Sequence, residues 1–166
     1  MRVYKVLVVG VCVVLGTSAI DAQRRGRRPR GPEASPVLEA VTALTCVFPA
    51  SASGSWTNGQ PSAAVASPAG ATTMRLSEVD AQGGTAIAAG LGETAEVTVR
   101  LVGSNLHFLD IRPSGALAVT TVFSEVSHDG RLKAVQSRSE YGGTRGGGTA
   151  GPPAVSQHYG DCEIGK

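Results

Sequence analysis

Polar and apolar residues alternate most clearly over residues 95–141. Residues 96–101, Glu-Val-Thr-Val-Arg-Leu, run into Gly103-Ser104-Asn105, and residues 106–111, Leu-His-Phe-Leu-Asp-Ile, run into Pro113-Ser114-Gly115. Residues 116–123 continue the alternation and turn near Asp129-Gly130, and a fourth run opens at residue 131. Period-two alternation punctuated by Gly, Pro, Asn and Asp predicts antiparallel strands joined by tight turns. The fourth run loses its apolar positions at Gln136-Ser137-Arg138-Ser139-Glu140, just before Tyr141.

The flanking segments extend the same pattern less evenly. Val37, Leu38, Val41 and Leu44 are spaced by three and four, which allows a helical turn. That spacing gives way to Leu44-Thr45-Cys46-Val47-Phe48, whose content favours a strand over residues 42–48. Residues 49–71 are rich in Ser, Ala, Gly and Pro and read as a long connection. Short extended pieces are expected in it near Gly54-Ser55-Trp56 and Ala63-Ala64-Val65, with a turn over residues 57–61 between them. Residues 72–79 place Met74, Leu76 and Val79 inward; a turn at residues 81–84 leads to a short run at 85–89. Residues 142–153 hold six glycines and read as a flexible loop, and residues 155–164 supply the last strand. The expected fold is all-β: an antiparallel meander closing into a small barrel or curved sandwich of about seven to nine strands.

Composition sharpens this picture at three points. Aromatics make up only 4% of 166 residues while glycine supplies 22, which suits one domain of thin layers and many turns. Residues 1–22 form a leader, with Arg2 and Lys5 before the apolar run 6–16 and Ile20-Asp21-Ala22 at its end. The run is too short for the ~20 residues of a spanning helix, so no transmembrane span remains after cleavage. The chain is therefore expected to be secreted or periplasmic through the general secretion route. Cys46 and Cys162 then meet an oxidising compartment and are expected to form a disulfide; reduced buried thiols are the alternative. Such a bridge makes the first and last strands neighbours, or sets them face to face across a sandwich.

Residues 23–35 form a basic arm with Arg24, Arg25, Arg27, Arg28 and Arg30. Beyond residue 22 the chain carries 13 basic and 12 acidic residues; five of the basic ones lie in the arm, so the remaining body, with 8 against 12, is mildly acidic. The arm is either a solvated spacer or a weak contact to an anionic surface. No aromatic is interleaved with its arginines, which argues against sequence-specific nucleic-acid binding.

No catalytic motif stands out in residues 36–166, the single folded domain. His107 and Asp110 fall on opposite faces of one strand, and His128 sits at a turn. The G-x-S-x-G elbow is absent, the run Gly-Gly-Thr-Arg-Gly-Gly-Gly lacks the Lys-Ser/Thr of a phosphate loop, and no ligand set for a metal or cofactor is visible. Glu78, Asp80, Asp110 and Glu125 offer carboxylates with no spacing that pairs them. The most suggestive polar position is Arg138, which with Gln136, His158 and Tyr159 is placed to line a barrel mouth and grip an anionic group; the competing role is an ion pair with Glu140 or Asp161.

Gly54-Ser55-Trp56 together with Arg138 resembles the G-x-W and overlying arginine of lipocalin- and avidin-type barrels. That resemblance covers four residues and implies a ligand held inside the barrel near Trp56. The expected function is non-enzymatic: binding of an unidentified small ligand or envelope partner, or a structural role in the envelope. The alternative is a small secreted β-barrel hydrolase or isomerase using His107 or His158 with a nearby acid. A third reading, an inhibitor acting through residues 142–153, needs a preorganised loop that this composition does not provide.

Overall fold

The structure, a computed structural model, describes residues 35–66, 70–90, 94–141 and 151–165. The leader, the arginines of the arm and loop residues 142–150 lie outside the described residues. A four-residue helix, α1 (Pro36–Glu39), precedes nine strands: β1 (Leu44–Thr57), β2 (Gln60–Ala66), β3 (Thr72–Asp80), β4 (Thr85–Ala89), β5 (Ala95–Val102), β6 (Asn105–Ile111), β7 (Leu117–Val126), β8 (Leu132–Tyr141) and β9 (Pro153–Ile164). All neighbours pair antiparallel, in the order β2-β1-β3-β4-β5-β6-β7-β8-β9. β1 also pairs with β9, so eight strands close into a barrel and β2 is one extra strand.

The expected disulfide is present. Cys46 and Cys162 are cross-strand partners in the β1–β9 ladder and are bridged, both fully buried. The first and last strands are adjacent, which closes the meander and removes most of its open edge.

Alternation sets the core. Leu44, Cys46 and Phe48 of β1 point inward with Met74, Leu76, Val97, Val99, Leu106, Phe108, Val122 and Leu132. Outward positions of the same strands carry Thr45, Arg75, Glu96, Arg100 and Lys133. This apolar-in, charged-out order is the reverse of a membrane-spanning barrel. No helix among the described residues is long and apolar enough to cross a membrane.

One end of the barrel is plugged. Pro36 opens α1, where a missing N–H costs nothing. α1 then drops Leu38 (0% exposed) into the core, followed by Val41 (2%). The plug is tied by backbone bonds from Ser35 N to Gly103 O (3.2 Å), Val79 N to Thr42 O (2.9 Å) and Gly165 N to Ala43 O (2.9 Å). The turns after β3, β5 and β7 lie at this closed end; the other end is a mouth.

Two expectations about β1 need correction. The first strand does not stop at residue 48 but continues through Pro49 to Thr57, 14 residues in all. Residues 49–71 are therefore not mainly a connection: β1 and β2 form a hairpin across the turn Asn58-Gly59, both at positive φ (52° and 77°). The final strand, expected over residues 155–164, is present and starts two residues earlier, at Pro153. The β1–β9 register shifts between Val47 and Ala50, a β-bulge. On the other side of β1, β3 pairs up to Phe48 and β2 takes over from Ser51. Beyond the bulge β1 thus parts from β3 and, with β2 on its free side and β9 on the other, forms a ribbon that extends the wall past the mouth.

Candidate site at the barrel mouth

Cross-strand partners share a face, so the register reads out the wall of the mouth. Phe108, Thr120, Gln136 and His158 lie in one row across β6, β7, β8 and β9. Asp110, Ala118, Arg138 and Ser156 form the next row outward. Ser51 of β1 extends the first row beside His158.

The inner row is tightly held. Gln136 is only 5% exposed and Thr120 only 2%. The Gln136 amide donates to Thr120 Oγ1 (3.3 Å) and to Met74 Sδ (3.6 Å), and the Thr120 hydroxyl donates to the same sulfur (3.5 Å). A thioether is a weak acceptor, so this is a sparsely bonded polar cluster on top of an apolar core. The His158 ring meets Phe48 edge-on at 6.3 Å between centroids. Its Nδ1 is buried with no hydrogen-bond partner among the described residues.

The outer row carries paired charges. Arg112, in the turn after β6, grips Asp110 through Nε (2.7 Å to Oδ1, 2.9 Å to Oδ2) and Nη2 (2.7 Å to Oδ2). Arg138 grips Glu140 through Nε (3.0 Å) and Nη2 (2.7 Å). The Asp110 and Arg112 side chains keep 22% and 25% of their exposure, those of Glu140 and Arg138 41% and 37%. Two guanidiniums and two carboxylates make the rim polar and formally neutral. Between Asp110, Arg112 and Arg138 on one side and Met74, Phe108, Thr120 and Gln136 on the other lies a cleft of about 20 Å³, room for about one water. Below it the described interior is packed with the core side chains, as expected of an eight-stranded barrel.

The five residues singled out from the sequence divide between the two faces of the sheet. Arg138, Gln136 and His158 come together on the inner face. Tyr159 is the chain neighbour of His158 and points outward, where its hydroxyl donates to Gln157 Oε1. Trp56 is also outward, 45% exposed at the tip of the ribbon and paired with Pro61. Trp56 and Arg138 therefore lie on opposite faces, and the arginine does not cover the indole. The likeness to lipocalin- and avidin-type barrels fails on this point and on the filled interior.

Other candidate groups are dispersed. His107 is outward and bonded to Thr121 Oγ1 (3.0 Å). His128 pairs with its neighbour Asp129 at a turn, with 91% of its side chain exposed. Asp80 caps its own turn by accepting from the Gln82 and Gly83 amides. Glu125 pairs with Lys133 on the barrel exterior. No group of three or more metal-ligating side chains occurs among the described residues. The sequence reading passed over Arg112 and Thr120. Asp110 and Arg112 are two apart at a strand end, the spacing that puts both on one face, and that signal was available.

No known protein family matches the chain, and no characterised protein or solved structure is similar to it.

Proposed function

We propose that the chain is a secreted or periplasmic, non-enzymatic binding domain whose recognition site is the rim of the barrel mouth. The observation that carries this reading is the set Asp110, Arg112 and Arg138 around a shallow cleft floored by Gln136 and Thr120, with Glu140 holding Arg138 from outside it. Core side chains occupy the described interior, so recognition falls to a small group that enters the rim. Each arginine already faces a carboxylate. A purely anionic ligand competes with Asp110 and Glu140, whereas a group that offers both donors and acceptors can insert between the paired charges. The best-fitting class is a zwitterionic or amide-bearing group, such as an amino acid or a peptide end.

The test is a titration of the isotope-labelled protein with glycine, acetate and glucose, followed by amide and arginine side-chain NMR. Glycine should shift resonances of residues 110–118 and 136–140 at millimolar concentration, with acetate and glucose weaker. Arg138→Ala should remove the response. An unchanged spectrum, or equal shifts in Arg138→Ala, refutes the site. The enzymatic alternative is read in parallel with a panel of chromogenic esters: turnover abolished by His158→Ala or His107→Ala would replace the binding role.

A further inference from the structure

The ribbon ends in an edge that is protected only at its turn end, by Pro61. β2 pairs with β1 on one side, and no described strand pairs with its other side. Sheet edges are normally blunted by charge, proline, bulges or shortness. β2 is seven residues long, Gln-Pro-Ser-Ala-Ala-Val-Ala, without one charged side chain. Its register with β1 runs unbroken from Thr57↔Gln60 to Ser51↔Ala66. Val65 is 87% exposed.

Ladder alternation says which backbone groups this edge offers. Thr57 and Gln60 flank the two-residue turn Asn58-Gly59 and form the closing hydrogen-bonded pair of such a hairpin. Residues 60, 62, 64 and 66 therefore aim their amides at β1, while Pro61, Ala63 and Val65 turn theirs outward. Pro61 fits this phase, since a proline is tolerated where the N–H would face away from the sheet. Ala63 and Val65 then present two N–H and two C=O groups placed symmetrically about Ala64.

An edge that reads the same in both directions is its own complement. We infer that β2 pairs antiparallel with β2 of a second copy of this chain, Ala63 opposite Val65 of the other protomer and Ala64 on the two-fold axis. The side chains beside the seam agree. On the outward face of the ribbon, β1 from residue 50, β2, β8 from residue 135 and β9 up to residue 159 carry no Asp, Glu, Lys or Arg. The pairing sets Val65 of each copy beside Ala63 of the other on this uncharged face. A strand seam with these side chains buries roughly 800 Å² in total, below a standard stable interface, so the dimer is expected to be reversible and to form at micromolar or higher concentration. The two barrels lie at opposite ends of the joined ribbons.

Sedimentation over a concentration series should show a monomer–dimer equilibrium; in the full chain the third cysteine, Cys12 of the leader, is replaced by Ser so that it adds no cross-link. Ala63→Pro deletes an outward donor without touching the β1 ladder and should weaken association by about tenfold or more. Its far-UV circular dichroism and melting temperature check that the monomer is intact; should it misfold, Val65→Lys takes its place. Under mild oxidation Ala64→Cys should give a covalent dimer, because the two side chains meet at the axis, whereas Ser62→Cys, two residues off it, should not. A protein that stays monomeric to millimolar concentration overturns the inference. So does a dimer that is indifferent to Ala63→Pro and gives no cross-link at position 64. A monomer that binds a synthetic peptide of residues 60–66 of this chain but never self-associates also overturns it, and makes the edge a peptide-docking site.

Discussion

Gly160 is the position where one added carbon should do most damage. It sits in β9 opposite the β1 bulge and beside Ala134 of β8. A Cβ built there lies 1.9 Å from Val47 O and 2.8 Å from Phe48 Cα, both backbone atoms that cannot swing aside. Relief requires the β1 and β9 backbones to separate by roughly an ångström. That motion weakens about two ladder hydrogen bonds, worth roughly 1 kcal/mol each, on top of the ~1–3 kcal/mol of ordinary overpacking. Gly160→Ala should therefore cost about 3–5 kcal/mol and lower the melting temperature by roughly 10–15 °C for a domain of this size. Gly54→Ala is the control, since its Cβ meets only Ser62 O at 3.8 Å, ordinary contact. The control should fall within about 0.5 kcal/mol of wild type. Urea unfolding followed by far-UV circular dichroism, with the disulfide intact in each protein, measures both. A loss below 1 kcal/mol for Gly160→Ala would falsify the claim that bulge and glycine are interlocked.

Three further outcomes follow from the packing. Replacing Cys46 and Cys162 together by alanine opens a loop with a sequence separation of 116; stability should fall by about 3–5 kcal/mol on the chain-entropy model, and alkylation of the native protein followed by intact mass should find neither cysteine reactive. In the Thr120–Gln136–Met74 cluster, Thr120→Val alone leaves the Gln136 amide with only a weak thioether acceptor and should cost about 1–2 kcal/mol, whereas Thr120→Val with Gln136→Met should recover most of that loss; a strictly additive double mutant would contradict the coupling. Glu78 sits at φ 51° in the β3 bulge, a backbone region that suits glycine; Glu78→Gly should be neutral or stabilising by up to about 1 kcal/mol and Glu78→Val clearly destabilising, and equal thermal melts of the two would count against strain at this position.

The sequence was most legible where a strand has one wet and one dry face. Val97, Val99, Leu106 and Phe108 alternate against the core, and their turns carry the residues that positive φ demands, so β3 to β6 and β8 could be read to within a residue, while β7 runs three residues past the expected 123. Residues 50–57 and 60–66 could not, because the ribbon is solvated on both faces and small residues there have no core to alternate against. The bulge at Val47/Ala50 hid the same strand's continuation by reversing its phase. The candidate site shows the same rule. Gln136 and Arg138, two apart, had to share a face, and the β8–β9 register brings His158 beside Gln136. Tyr159, next to His158, had to point the other way, and period two alone was enough to see it. Trp56 was misplaced because the four-residue likeness carried no register.

The bulge also explains why the rim of paired charges stands where it does. Below it, β1 is flanked by β3 and β9, the cylinder is closed, and the inward positions are Leu44, Cys46 and Phe48. Above it, β2 replaces β3, and the inward positions become Ser51, Ser53 and Ser55. The first polar row, with Gln136 and His158, falls at the level of this exchange. Gln136 and Thr120 in that row are still buried; the row beyond it, with Asp110 and Arg138, is part-exposed, so charges that would be costly inside a closed barrel are tolerated at its lip. Gly160 permits the bend, the bulge makes it, and the Cys46–Cys162 bridge, two residues below each, holds the two strands in register beneath it. A change that straightened β1 at Pro49 would turn the serines of the ribbon outward and Trp56 inward. It would thereby erase the polar mouth and the uncharged outer face together.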